Sequence, residues 1–371
     1  MSIIKKAIAS VMALMMSVFG LIGAVGNVSD DYAKDKYENV ILLIGDGMSY
    51  NTVAATESIT GVDLVMNDMA VTASSDIDSF LNTYTDSAAG GTALATGFRV
   101  INGTVGVYPF DLFSPLDANV PMNLCELAKA NGKAAGVVTT DQTSGATPSA
   151  FSAHTFARTN EAQIAADQLI SGFDLIWGGD TKSITKENTE ENGWTYIDNQ
   201  DDMFALEAGS RSFAQFNYDD LYNCTDEYNT PSIEEMTEKA IELLSADEDG
   251  FFLIVEGACI DKNAHNNIME GVTECTVEFD KAVAAALEFA EKDGETLVVV
   301  TADHGTGGIT LNEETGEYYF TSGDHDRWDV PVYVNVTDAG FTNGILVENR
   351  EIPVQLARVM GFDEGQFPMN K

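Results

Sequence analysis

Residues 276–305, "TVEFDKAVAAALEFAEKDGETLVVVTADHG", contain the two signals that decide the fold. Apolar residues recur at helical spacing in the first half, and a glycine then precedes the apolar run "TLVVVT". Such a continuous run is typical of a strand that is covered on both faces in a parallel sheet. Asp303 and His304 follow directly, and ligands of open α/β sheets bind where strands end.

The same order of helix, glycine and strand recurs along the chain. Residues 121–140 and 232–257 repeat it, and "NVILLIGDGMS" at 39–49 is another apolar strand. A late strand at 330–336 and a closing helix at 352–362 complete the pattern. This alternation predicts an α/β fold with a mostly parallel central sheet, sandwiched between helices on both faces.

The N-terminus has the layout of an exported protein. Residues 1–26 begin with lysines, continue through uncharged residues and end in small ones, which is typical of a secretory signal peptide. A retained membrane anchor is the alternative, because about twenty apolar residues can span a bilayer. We expect residues 27–371 to form a single domain, with a polar insertion over the sheet at about 178–230. The protein would be secreted, extracellular or periplasmic, or else anchored to the outer face of the cytoplasmic membrane.

The composition excludes one class of partner. The chain has 59 acidic side chains against 19 lysines and arginines, a formal net charge of −40. Such a field repels nucleic acid and anionic membrane surfaces, so we expect no nucleic-acid partner. A solvated acidic surface explains the charge more simply than a specific basic partner.

The four cysteines show no CxxC spacing, which argues against a thiolate metal site or a redox motif. Cys224 and Cys275 lie in polar, loop-like sequence and could form a disulfide in an exported protein. Cys125 and Cys259 lie among apolar residues, and we expect them to be buried.

Carboxylates and histidines cluster at the predicted strand ends. Imidazole with carboxylate is a suitable donor set for zinc, and carboxylate with hydroxyl oxygen for magnesium. Several carboxylates buried together are costly unless cations neutralise them, so we expect metals here. His154 is interpreted as structural. The candidate ligands are Asp46, Glu256, Asp261, His265, Asp303, His304 and His325.

The segment "TYTDSAAGGTALATG" at 83–97 predicts a helix of small residues that begins near Ser87. Free N–H groups and the helix dipole favour an anion at such an N-terminus. Ser87 could therefore be a nucleophile, and the alternative is that Asp86 or Ser87 merely caps the helix.

The segment "GATPSAFSAHTFAR" at 145–158 contains two further candidates. Thr147 precedes a proline that we expect at the first position of a helix. Arg158 could bind two phosphoryl oxygens, although an ordinary surface arginine is the simpler interpretation of this residue alone.

Six motifs, in this order, closely resemble those of the bacterial alkaline phosphatases. They are "IGDGM", "TDSAAGGTALATG", "ATPSAFSAHTFAR", "VEGACIDKNAH", "VTADHG" and "GDH". The resemblance covers about residues 38–335, except mainly 178–220. It implies a metal-dependent phosphomonoesterase that hydrolyses small phosphate monoesters through a phosphoserine, with two Zn2+ and one Mg2+, as a homodimer.

The resemblance also implies a role for each candidate residue. Ser87 would be the nucleophile, and Arg158 would bind the phosphoryl group. The metal ligands would be Asp261, His265 and His325 for the first zinc, Asp46, Asp303 and His304 for the second, and Asp46, Thr147 and Glu256 for magnesium.

Gly145 departs from the family pattern, because relatives often carry an Asp or His there near the magnesium's water shell. We therefore expect a weakly held magnesium. Two other functions remain open: a phosphodiesterase or phosphotransferase of the same superfamily, and a catalytically silent exoprotein that binds metal or phosphate.

Overall fold

The computed structural model describes residues 28–29, 32–33, 36–80, 84–108, 120–218, 221, 229–362 and 365–368. The predicted signal peptide or anchor at 1–26 lies outside these residues. Within them, no helix is both long enough and apolar enough to cross a membrane.

The described residues form a ten-stranded sheet and a separate two-stranded hairpin. The strands are β1 (Asn39–Gly45), β2 (Val71–Asp76), β3 (Ala134–Gln142), β4 (Leu175–Gly179), β5 (Thr195–Ile197), β6 (Ser212–Phe216), β7 (Phe251–Gly257), β8 (Thr296–Thr301), β9 (Thr310–Leu311), β10 (Tyr318–Tyr319), β11 (Val330–Val334) and β12 (Leu346–Glu348). The order in the large sheet is β12-β2-β11-β8-β1-β7-β3-β4-β6-β5. β11 is antiparallel to both of its neighbours, β2 and β8, and the other pairs are parallel, so the mostly parallel sheet is confirmed.

Helices cover both faces of this sheet. They are α1 (Tyr50–Thr60), α2 (Ser87–Thr96), α3 (Leu124–Ala130), α4 (Ala146–Ala150), α5 (Glu161–Ile170), α6 (Lys186–Glu191), α7 (Gln200–Phe204), α8 (Ile233–Leu244), α9 (Cys259–His265), α10 (Met269–Asp293) and α11 (Glu351–Val359). Alternate side chains of β1 belong to two separate cores. Ile41 and Leu43 share one core with Phe279 of α10, and Leu42 shares the other with Leu356 of α11. The predicted sandwich is therefore confirmed.

Within the polar stretch at 178–230, the described residues Thr195–Ile197 and Ser212–Phe216 form strands of the sheet. β6 pairs in parallel with β4, and β5 pairs in parallel with β6 at the sheet edge. The strand Ser212–Phe216 is buried throughout. Its polar side chains are paired inside, since Ser212 Oγ accepts from Trp177 Nε1 at 3.0 Å and Gln215 Nε2 donates to Thr143 Oγ1 at 2.8 Å. Because these buried polar side chains are hydrogen-bonded, the strand does not need a continuous apolar run, and the sequence pattern did not predict it.

Three of the cysteines lie among the described residues. Cys125 and Cys259 are buried, as expected. Cys275 is also buried and lies within α10, so its predicted loop-like surroundings are wrong. Its polar neighbours Thr273 and Thr276 are buried with it, and of its near neighbours Glu274 is exposed. Its pairing with Cys224 stays a prediction, because Cys224 lies outside the described residues.

Candidate metal centre and nucleophile

The sheet register brings the candidate residues to one edge. β7 lies between β1 and β3, and Glu256 of β7 is aligned with Ile44 and with Thr139. Asp46 follows the end of β1. Asp303 follows the end of β8, which pairs with β1 on the side opposite β7. Since these strands are parallel, their carboxyl ends meet at the same rim.

Among the described residues, Asp261, His265 and His325 form the first group whose potential ligand atoms all lie within 4.8 Å of one another. Asp261 and His265 lie one turn apart on α9, as their spacing predicts, with His265 Nε2 3.4 Å from Asp261 Oδ2. His325 comes from the loop before β11, and its Nε2 lies 3.9 Å from Asp261 Oδ1.

The two histidine rings of this group are oriented by backbone carbonyls. His265 Nδ1 lies 2.7 Å from Gly323 O, and His325 Nδ1 lies 2.7 Å from Thr85 O. A ring nitrogen that faces a carbonyl must carry the proton. In a neutral imidazole with the proton on Nδ1, Nε2 then has a free lone pair. Those two Nε2 atoms lie 3.1 Å apart. Two lone pairs at that distance are favourable only around a shared cation or proton.

Asp46, Asp303 and His304 form the second such group, and all three are buried. His304 Nε2 lies 3.5 Å from Asp46 Oδ1 and 3.4 Å from Asp303 Oδ2. Neither of these carboxylate oxygens makes a hydrogen bond with the described residues. The ring of His304 stacks on that of His325 with a centroid distance of 3.8 Å, so the two groups are adjacent.

The electrostatics of the second group favour a cation. Burial and the charges of neighbouring carboxylates raise the pKa of Asp46 and of Asp303 far above their ordinary values. Burial also lowers the pKa of His304, and the neighbouring charges of His325, His265 and Arg158 lower it further. Several buried acids beside a neutral imidazole lack a compensating positive charge, which a metal ion would supply.

Thr147 and Glu256 lie beside this group. Burial and the charge of Asp141 raise the pKa of Glu256 to about 7, against the hydroxyls of Thr139 and Thr147, which lower it. Thr147 Oγ1 is buried and has no hydrogen-bond partner of normal geometry among the described residues.

The proline after Thr147 was predicted at the first position of a helix. α4 begins at Ala146, so Pro148 is its third residue, and the prediction is wrong by two residues.

Ser87 is the first residue of α2, and Asp86 is the N-cap. The side chain of Asp86 accepts from Ala89 N at 3.0 Å, which leaves the Ser87 hydroxyl free of a capping role. Ser87 Oγ lies 3.2 Å from His304 Nε2. The helix approaches closely because Gly90 has no side chain: a Cβ there would lie 2.8 Å from Asp303 O.

Arg158 lies on the other side of Asp86. Its Nη1 is 3.3 Å from Asp86 Oδ2, and its side chain is 38% exposed. Its charge contributes to the lowered pKa of His304. The structure therefore brings the predicted nucleophile, the predicted arginine and both histidine-containing groups together.

Two side chains at the site were missed by the sequence reasoning. Lys262 Nζ donates to Asp141 Oδ1 at 2.6 Å, and Thr306 Oγ1 donates to Asp261 Oδ1 at 2.5 Å. Lys262 lies within the motif "VEGACIDKNAH" and Thr306 directly follows "VTADHG", so proximity to a candidate ligand was the available signal. His154 lies outside both groups; its ring nitrogens face Gly106 O and Glu126 Oε1 at 2.6 and 2.9 Å, which supports the structural interpretation.

The fold and the rim define an α/β sandwich that carries two carboxylate and histidine groups beside a serine at a helix N-terminus. The chain belongs to the alkaline phosphatase family, whose profile matches residues 37–190 and 178–343.

Individual relatives agree with this assignment. Alkaline phosphatase 4 of Bacillus subtilis (strain 168) is 35% identical over 304 residues, which is 75% of this chain and 63% of that protein. Alkaline phosphatase 3 of the same strain is 32% identical over 305 residues, 76% of this chain and 64% of that protein. The chain thus matches somewhat less than two thirds of the length of these two relatives.

A solved structure also agrees. A mutant of the alkaline phosphatase from the Antarctic bacterium TAB5, with magnesium bound in its M3 site, is 28% identical with a TM-score of 0.74. The similarity covers 90% of this chain and all of that one.

Proposed function

We propose that this chain hydrolyses small phosphate monoesters through a phosphoserine intermediate on Ser87. The observation that carries the proposal is the position of the Ser87 hydroxyl, 3.2 Å from His304 Nε2 and at the N-terminus of α2. That hydroxyl is not used as a cap, and the helix dipole favours an anion directly beside it.

The residues at the rim fit two Zn2+ and one Mg2+. Asp46 Oδ1, Thr147 Oγ1 and Asp303 Oδ2 are buried polar atoms without hydrogen-bond partners among the described residues. Buried polar atoms are normally satisfied, and a cation would satisfy these three. Nitrogen with carboxylate donors suits zinc, and oxygen donors alone suit magnesium. The magnesium in the TAB5 relative supports the third site.

Each ion would be held by three side chains. The sets are Asp261, His265 and His325 for the first zinc, Asp46, Asp303 and His304 for the second, and Asp46, Thr147 and Glu256 for magnesium. When bound, such ions lower the pKa of a coordinated hydroxyl or water and stabilise charge on phosphoryl and leaving oxygens.

The residues of the chain itself carry out a double displacement. Ser87 Oγ attacks phosphorus, and the bond between phosphorus and the ester oxygen breaks. The alcohol leaves with a proton. Arg158 and the N-terminus of α2 stabilise charge on the non-bridging oxygens. Water then attacks the phosphoserine, inorganic phosphate leaves, and the Ser87 hydroxyl is restored.

Arg158 favours monoesters over diesters. A guanidinium binds two oxygens best when both are unsubstituted and negatively charged, and a monoester offers such a pair more readily than a diester. The accessible part of the Arg158 side chain supports this role.

The direct test compares an aryl phosphate monoester with an aryl phosphate diester on protein loaded with zinc and magnesium. The proposal predicts faster release of the phenol from the monoester. Faster hydrolysis of the diester would favour a phosphodiesterase, and no hydrolysis of either would favour a silent binding protein.

We further propose that the protein is exported and acts as a homodimer without a nucleic-acid partner. Export is supported by the layout of residues 1–26, and the exclusion of nucleic acid by the net charge of −40. Whether the N-terminal segment is cleaved or retained as an anchor would follow from the N-terminal sequence of the exported protein.

A further inference from the structure

The carboxylate of Asp141, near the end of β3, occupies the space beside Gly145. An added Cβ at Gly145 would overlap Asp141 Oδ2 and would lie 2.7 Å from Asp141 Cγ and 2.9 Å from Gln142 O. The absent side chain of Gly145 is therefore what allows Asp141 to lie there. Position 145 itself has no carboxylate, as the sequence shows, and Asp141 places one in the space beside it.

Asp141 is held in place by three hydrogen bonds. Its Oδ1 accepts from Lys262 Nζ at 2.6 Å and from Gln142 N at 2.8 Å. Its backbone N donates to Thr139 Oγ1 at 2.8 Å. The side chains of Asp141 and Lys262 are only 15% and 24% exposed, so solvent screens this pair less than a surface ion pair.

The ion pair acts directly on the proposed magnesium ligands. Apart from burial, the charge of Asp141 contributes most to raising the pKa of Glu256. The charge of Lys262 lowers the pKa of both Glu256 and Asp46. Thr139 connects the two acids, because its hydroxyl donates to Glu256 and accepts from Asp141 N. If the charge of Asp141 were removed, the ammonium group of Lys262 would lose its ion-pair partner beside a cation site.

We propose that Asp141 is a positioning residue of the site formed by Asp46, Thr147 and Glu256: it compensates Lys262 and thereby strengthens magnesium binding. This inference rests on the proposed magnesium site. It also predicts that Gly145→Asp would push Asp141 out of its place instead of adding a second useful carboxylate.

The test is a calorimetric titration of MgCl2 into the zinc-loaded, phosphate-free full chain. Asp141→Asn keeps the shape of the side chain but removes its charge, and Gly145→Ala keeps Asp141 but displaces its carboxylate. Both variants should weaken magnesium binding by about ten- to a hundredfold, the usual effect of losing a group that supports the ligands of a metal site. Zinc content should stay that of the unmodified chain.

Asp174→Asn is the matched control. Asp174 Oδ2 pairs with Lys129 Nζ at 2.8 Å, but it precedes β4 and so lies at the opposite end of the sheet. This variant should bind magnesium as the unmodified chain does. The inference would be overturned if Asp141→Asn lowered the melting temperature but bound magnesium within twofold of the unmodified chain. The proposed function would still stand in that case. If the unmodified chain binds no magnesium, the magnesium site and this inference both fail.

Discussion

His265 and His325 face each other with their Nε2 atoms 3.1 Å apart, while each Nδ1 is engaged by a backbone carbonyl. This relationship joins α9 to the loop before β11, two segments that are distant in the chain. The carbonyls orient the rings so that both free lone pairs point at one place beside Asp261. The backbone itself therefore orients the two candidate zinc ligands.

His265→Gln should therefore reduce the zinc content of the purified chain from two ions to about one, since three protein ligands per catalytic zinc are the usual set. Elemental analysis after dialysis checks this. His154→Gln is the matched control, because His154 is hydrogen-bonded to Gly106 and Glu126 away from both groups. Equal zinc contents in both variants would contradict the assignment of His265.

Removing the metals should make stability depend on pH in an unusual direction. In the metal-free chain the pKa of Asp303 is about 8 and that of Glu256 about 7, raised mainly by burial, against ordinary values of 3.8 and 4.5. Between about pH 4 and 8 the folded chain then binds more protons than the unfolded chain. Its free energy of unfolding should fall as the pH rises, by up to about 1.4 kcal/mol per pH unit for each proton.

Urea unfolding at pH 5 and pH 8, with and without bound metal, measures this effect. The metal-loaded chain should not show the decline, because its ligands are already deprotonated when they bind metal. The same decline with and without metal would mean that these carboxylates do not hold cations.

Arg158→Ala should slow monoester hydrolysis by about ten- to a thousandfold, the range expected when a contact to transition-state charge is lost. Diester hydrolysis should fall less, because one oxygen is already substituted. Rates for both substrates, together with inhibition by inorganic phosphate, check this. Arg158→Lys keeps the charge without the two-pronged geometry and should give an intermediate loss. Equal losses on both substrates would indicate a structural role through Asp86.

Much of the site could be predicted from sequence because its residues directly follow apolar strands. An apolar run that predicts a strand precedes each of Asp46, Glu256 and Asp303. Parallel pairing of β1 with β7 and β8 brings the three positions together. Motif resemblance, not periodicity, supplied the roles of Ser87 and Arg158.

Two features could not be predicted because they depend on contacts between segments. β6 was hidden by polar side chains, such as Gln215, that find partners only after folding. Asp141 is an unremarkable acid in the sequence, and its position depends on what Gly145 lacks. A substitution that removes one side chain can make room for another, and only the packed structure shows the exchange.

Ser87 is expected to carry the phosphoryl group during turnover. Zinc-loaded chain should be mixed with an aryl phosphate, quenched in acid and digested, and the phosphorylated peptide identified by mass spectrometry. We expect phosphate on Ser87, and its loss together with most of the turnover in Ser87→Ala. Ser144→Ala, a buried serine in the loop between β3 and α4, should keep the label. Phosphate on another residue, or full labelling and turnover in Ser87→Ala, would contradict the account.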